Sequence, residues 1–474
     1  MSGAPAAAAG VGATSEIGEV VADLEISRAW LVDPVSGREG PGELVVNDGV
    51  IEAVNWLDGS DAAGVDDRGI VVAPGFVDLH AHLREPGDED AETIASGLAA
   101  AAHGGFTTVC LMANTTPPLD EPSVLARVRA AAAASGTPVE ALAYGTVSAG
   151  RAGETLAALG ELADAGVVGY SDDSAPVRSA TILRNALAYA GMLGQPVIDH
   201  AEDPTQTAGA VANEGLPATV LGLHGWPASA EASAVARDLA ILEDVRRDVA
   251  GARLHVTGVS TAPALDLVRR AKAAGLPVTC DVTPHHLGLT DGWLAGWRRW
   301  AWEDDWAPGA AVDAAPYDTS LRASPPLRSA ADAAACRAAL VDGTADAVAT
   351  DHGPRTSVEK EIEFGLAADG ISGLETALGV LLAAVDAGEL TLGCAIAALT
   401  VGPLRVLGGR LPRAPRGLVE GASADLVVFD RAEAWTVDPA SFASKGRNTP
   451  LRGRSLPGRV LLTVAAGRLA YSAE

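Results

Sequence analysis

The chain has 474 residues, a formal net charge of -27 and 48% hydrophobic residues. That length exceeds what one hydrophobic core usually holds, so a large domain beside a smaller one is expected. The acidic balance argues against a nucleic-acid or anionic-membrane partner, since either needs a basic surface. Cys110, Cys280, Cys336 and Cys394 are scattered with no CxxC pair, which fits reduced thiols in a cytoplasm, and no apolar run approaches the roughly 20 residues of a membrane span.

Residues 1–22 are Ala/Gly-rich without a basic start or a long apolar stretch, and read as a disordered extension rather than a signal peptide. From 23 to 70 short β-type runs follow, with Asn47-Asp48-Gly49 as a hairpin turn between two of them. Residues 408–474 have the same texture, with runs at 424–429 and 460–464. The two ends are therefore expected to meet in one small β-sandwich, with residues 71–407 as a separate middle domain. Apolar β-type runs alternate there with Ala/Leu-rich helical stretches, ending near His82, Met112, Gly145, Ser171, His200, Gly258, Val282 and Asp351. Eight such units predict a (β/α)8 barrel, whose chemistry sits at the C-terminal ends of its strands.

The stretch VVAPGFVDLHAHLREPG, residues 71–87, reads as a buried strand from Val71 to Leu79 that ends in two histidines one residue apart. Strand side chains alternate faces, so His80 and His82 point the same way, as two imidazoles gripping one ion must. Polar residues recur at later strand ends: Asp172 and Asp173 at the fourth, His200 at the fifth, Asp351 and His352 at the eighth. Gathered at a barrel mouth, such nitrogen and oxygen donors suit zinc or a similar divalent ion. The spacing does not separate Asp172 from Asp173. No serine or cysteine nucleophile motif is evident.

The motifs GFVDLHAHLREPG, GGFTTVCLMANTTPPLD, YSDDSAP, DHAED, VTPHHL, PPLR, ATDHGP and SKGRNTPLRG resemble those of the long bacterial dihydroorotases of the amidohydrolase superfamily, from about Leu24 onward. The resemblance implies a metal-bearing barrel with a two-ended sandwich. It also implies reversible closure of N-carbamoyl-L-aspartate to dihydroorotate in pyrimidine synthesis. By the same resemblance His80, His82, Asp173 and Asp351 are ligands of one metal, and Asp173 with His200 belongs to a second. Asp351 is then the proton shuttle, and Arg84 and Asn114 hold the substrate carboxylate. YSDD stands where relatives such as hydantoinases carry a carboxylated lysine.

The chain also departs from that pattern. RLHVTGVST puts Gly258 where the family has a metal histidine, and His255, three residues earlier, faces the other way. One tightly bound zinc, with a weak or absent second site, is therefore expected. DHGPR places Arg355 where the family has a histidine near the substrate carboxylate, and Ser324 replaces an asparagine before PPLR. These changes leave two alternatives beside an active dihydroorotase: an impaired subunit supporting aspartate carbamoyltransferase, or an amidohydrolase for another cyclic amide. An insertion within residues 291–317 carries Trp293, Trp297, Trp300, Trp302 and Trp306, which read either as a lid or partner patch or as a local core. His285 and His286 read as stabilisers of the seventh-strand loop.

Overall fold

The computed structural model describes residues 16–408 and 417–473. Its barrel follows the expected strand ends. Phe76–Ala81, Phe106–Leu111 and Glu140–Ala143 pair in parallel. Tyr170 holds the fourth position, bridging Gly145 on one side and Val197 on the other. Val197–His200, Leu254–Thr257, Val278–Val282 and Ala347–Val348 continue in parallel, and an Ala81–His352 bridge closes the ring. The first two of these strands are buried at every position, as parallel strands covered by helices on one face and a packed interior on the other must be. The helix Ile94–His103 that follows the first is started by a capping box between Thr93 and Ser96.

The expected single strand from Val71 to Leu79 is two strands. Ile70–Pro74 lies in the sandwich sheet, parallel to Asp23–Asp33 and antiparallel to Leu426–Thr436, and so joins the two ends of the chain. The barrel begins only at Phe76. The apolar run continues through the break, but Pro74 has no N–H to donate, and Gly75 packs so tightly that a Cβ there would lie 2.3 Å from Thr107. Among the described residues the sheet has seven strands, and its inner face buries Leu24, Ile26 and Leu44 against Leu426, Val428 and Leu462.

Two further boundaries move. The extension expected over residues 1–22 lies outside the described residues up to position 15, but residues 16–22 belong to the sandwich. There the Gly18 N–H donates to the Leu469 carbonyl, Val20 bridges Arg468 and Val21 is buried. Likewise, residues 437–454 do not stay in the sheet. They return to the barrel mouth, where Val437, Phe442 and Leu451 share a core with Trp293, Leu321 and Phe364. The tryptophan-rich insertion supplies much of that core: Trp293 is buried, Trp300 stacks on Trp302 at 5.0 Å, and the Arg454 guanidinium lies 3.9 Å from the Trp300 ring. Among the described residues no helix is long and apolar enough to cross a membrane.

Candidate metal centre and substrate pocket

The first and eighth strands are locked together beneath the site. Asp78, fully buried, accepts the Thr350 N–H at 2.8 Å and the Thr350 hydroxyl at 2.6 Å. Burial pushes its carboxyl up to about 6, against the lowering effect of the Thr350 hydrogen bonds. That clamp sets His80, two residues beyond Asp78, beside Asp351, one residue beyond Thr350. The backbone of His82 is fixed in turn by its N–H, which donates to the His352 carbonyl at 2.8 Å.

The donor atoms converge. His80 Nε2 lies 3.3 Å from His82 Nε2 and 3.1 Å from Asp173 Oδ2, and the three groups all fall within 4.8 Å of one another. Asp351 Oδ1 is 3.4 Å from each imidazole Nε2, and Asp173 Oδ2 is 3.6 Å from His82. Ligands bound at about 2.0–2.1 Å around a zinc-type ion stand roughly 3–3.5 Å apart, so the separations within the His80, His82 and Asp173 group fit one small cation, and Asp351 approaches the same two imidazoles. Charge points the same way. Burial by itself lowers His80, yet the facing carboxylates of Asp173 and Asp351 outweigh it and lift its pKa to about 10. The pocket therefore favours positive charge at that nitrogen, which a proton or a metal ion can supply.

His200 stands at the edge of this group, its Nδ1 3.6 Å from Asp173 Oδ1 and its Nε2 3.6 Å from Glu202. Asp173 Oδ1 is buried with no hydrogen-bond partner. Asp172 points elsewhere: its carboxylate accepts the Val147 and Ser148 N–H groups at 2.9 and 3.1 Å and the Ser148 hydroxyl. The two adjacent aspartates thus divide, one bracing the third-strand loop and one facing the histidines. Gly258 contributes only backbone here, and His255 is turned away, with Nε2 2.8 Å from Asp281 and Nδ1 2.9 Å from Thr279.

Beside the cluster lies a cavity of about 100 Å³ lined by His82, Asp351, Arg84 and Arg355, with Ser174 and Ser324. Arg84 is largely buried and its pKa is lowered to about 10, by burial first and then by the like charge of Arg355. Arg355 is held by the Asp369 carbonyl at 2.8 Å and by Glu359 at 3.0 Å. Asn114 Oδ1 takes up the Nδ1 side of His82 at 3.0 Å, leaving its amide N–H groups towards Ser174.

Two residues that read from the sequence as structural, His285 in the seventh-strand loop and Asn448 in a turn of the returning chain, lie close to this site. His285 is buried near Asp351. Its pKa falls to about 3 through burial, Asp351 is among the charges it senses, and its Nε2 has no hydrogen-bond partner. Its place just past the seventh strand end was the available signal. Asn448 is the other: Nδ2 donates to the Gly353 and Gly370 carbonyls, both at 2.9 Å, and Oδ1 accepts the Arg355 N–H at 3.0 Å and the Ser372 hydroxyl at 2.9 Å. His286 does brace its loop, through Thr283 and the Pro326 carbonyl.

Comparison with known proteins places this architecture. The L-hydantoinase (dihydropyrimidinase) from Arthrobacter aurescens superposes with a TM-score of 0.76 at 24% identity, covering 94% of this chain and 96% of that one. A D-hydantoinase gives 0.72 at 21% identity and establishes the same shared fold. A family model described as Dihydro-orotase-like matches residues 69–263. The dihydroorotase of Anaeromyxobacter dehalogenans (strain 2CP-1) is 48% identical over 453 residues, covering 95% of this chain and 98% of that protein. That of Pelotomaculum thermopropionicum is 44% identical and covers 94% and 98%. The chain is accordingly a cyclic amidohydrolase. Within that class it belongs to the dihydroorotase family.

Proposed function

We propose that the chain catalyses the reversible closure of N-carbamoyl-L-aspartate to dihydroorotate, with His80, His82, Asp173 and Asp351 holding one tightly bound zinc ion. Asp173 and His200 border a second site that is weak or absent. The observation that carries this reading is the meeting of His80, His82 and Asp173 from the first and fourth strand ends, with Asp351 of the eighth 3.4 Å from both imidazoles, next to a cavity with two guanidinium groups.

A divalent ion held there supplies Lewis acidity, polarising the ring amide carbonyl and lowering the pKa of an attacking water from about 15.7 towards about 7. The protein's own groups do the rest. Arg84 and Arg355 bind the substrate carboxylate, for which a planar guanidinium fork is the matching shape, and the Asn114 amide adds a neutral donor. Asp351 lines the same cavity. Burial raises its pKa, but the charges of His80 and His82 and the His82 hydrogen bond hold it below the ordinary carboxylate range, so it begins as a base. It takes the water's proton during ring opening and delivers it to the departing ring nitrogen. In ring closure the same carboxylate runs these transfers backwards.

The converged donor set favours catalysis over a purely supporting role beside an aspartate carbamoyltransferase. A second reading, hydrolysis of a different acidic ring amide, is favoured by Arg355, which is longer and permanently charged where the family has a histidine. The test is to assay zinc-loaded protein with dihydroorotate and with carbamoyl aspartate, in both directions, with total metal measured on the same sample. Turnover of both supports the proposal. A metal-loaded protein that ignores both and opens another ring would replace it with the second reading.

A further inference from the structure

A histidine coordinates through a nitrogen that carries no proton, so what its other nitrogen touches decides whether it is a ligand at all. For His80 that partner is unusual. Its Nδ1 lies 2.8 Å from the Thr257 hydroxyl, and that hydroxyl lies 3.0 Å from Asp281 Oδ2. The other oxygen, Asp281 Oδ1, accepts the Gly258 N–H at 2.6 Å, while Oδ2 also lies 2.8 Å from His255 Nε2. His80, Thr257, His255 and Asp281 are all buried.

The proton directions follow from what each group can do. A carboxylate only accepts, so the single hydroxyl proton of Thr257 goes to Asp281. The lone pair left on Thr257 then receives Nδ1–H from His80. In the neutral imidazole this leaves the free lone pair on Nε2, facing His82, Asp173 and Asp351. Gly258 takes part through its backbone: at a φ of +66° it turns the end of the sixth strand so that its N–H reaches Asp281. The end of that strand thus supports the first metal position from behind.

We propose that Thr257, oriented by Asp281, is a positioning residue that fixes His80 in the tautomer able to bind a divalent ion. The inference rests on reading the cluster as a metal centre. Outer partners of this kind typically account for about 10- to 100-fold in metal affinity.

The test measures zinc affinity of the full-length protein, stripped and titrated back against a competing chromophoric chelator, with thermal melting of the metal-free form followed in parallel. Thr257→Val keeps the shape and removes the hydroxyl. It is expected to weaken zinc binding about 10- to 100-fold while the metal-free protein melts within a few degrees of wild type. Thr257→Ser is expected to restore affinity to within a few-fold, which a role limited to filling space would not produce. Should Thr257→Val not fold, Thr257→Ala, which adds no bulk, gives the same comparison against Thr257→Ser. Zinc affinity unchanged in a folded Thr257→Val or Thr257→Ala protein overturns the inference and leaves the metal reading intact. A wild-type protein that binds no zinc overturns the metal reading and this inference with it.

Discussion

Asp173 spans the two halves of the cluster: Oδ2 sits 3.1 Å from His80 Nε2, and Oδ1 sits 3.6 Å from His200 Nδ1. On the His80 side His82 and Asp351 present further donor atoms. On the His200 side position 258 offers only glycine. The protein is therefore expected to retain about one divalent ion per chain after exhaustive dialysis, measured by elemental analysis. Two ions held equally tightly would show that the second half is completed by some other group.

Gly258→His is expected to raise metal content towards two ions per chain. A Cβ at Gly258 would have only Pro325 Cδ nearby, at 3.8 Å, so the first side-chain atom meets no clash. The positive φ costs about 1–2 kcal/mol for a residue with a Cβ, which should appear as a lower denaturation midpoint. Unchanged metal content would mean that the strand end does not direct a side chain towards His200.

Asp351→Asn retains the shape of the side chain and removes its basicity. The expected result is a fall in kcat of about 10²–10⁴-fold in both directions with an unchanged circular dichroism spectrum. Normal turnover in this variant would exclude Asp351 as the proton carrier.

Arg355→Ala removes one of the two cations lining the cavity. Hydrogen bonds to charged groups contribute about 1.5–3 kcal/mol, so KM for carbamoyl aspartate should rise about 10- to 100-fold with kcat changed far less. A KM that does not move would assign carboxylate binding to Arg84 alone.

Lys360 allows a pH prediction away from the metal ligands. It is buried, donates to the Thr319 carbonyl at 3.1 Å and the Arg322 carbonyl at 3.3 Å, and burial lowers its pKa to about 7 from 10.5. Between those values the unfolded chain holds the proton and the folded one does not. Stability from this group therefore rises with pH from about 7 to about 10.5, by at most about 1.4 kcal/mol per pH unit. Urea midpoints of wild type and Lys360→Met, compared across pH 6.5–9.5, should diverge with that sign. Parallel curves would show that Lys360 keeps its proton in the folded state.

The strand ends could be read from the sequence because parallel barrel strands are buried on both faces. Their apolar runs stop where the chain meets the open mouth, and polar residues after the first, fourth, fifth and eighth runs are the ones that converge. The fourth-strand motif did not yield to the same logic, because Asp172 and Asp173 lie in a loop, where a period of two assigns no face. The break at Gly75 was hidden for another reason: residues on either side are equally apolar, one set packing into the sandwich and the other into the barrel. Val20 and Val21 were masked by the Ala/Gly-rich stretch before them. The tryptophans read as either a patch or a local core, and in the structure Val437, Phe442 and Leu451 pack with Trp293 and Trp300.

The Asn448 side chain spends all four of its hydrogen bonds on the loops around Arg355, and it arrives on a segment made only after every barrel strand. Synthesis thus supplies all eight barrel strands before the residue that ties these loops together, and a polypeptide ending short of position 448 lacks the four bonds that set the pocket around Arg355.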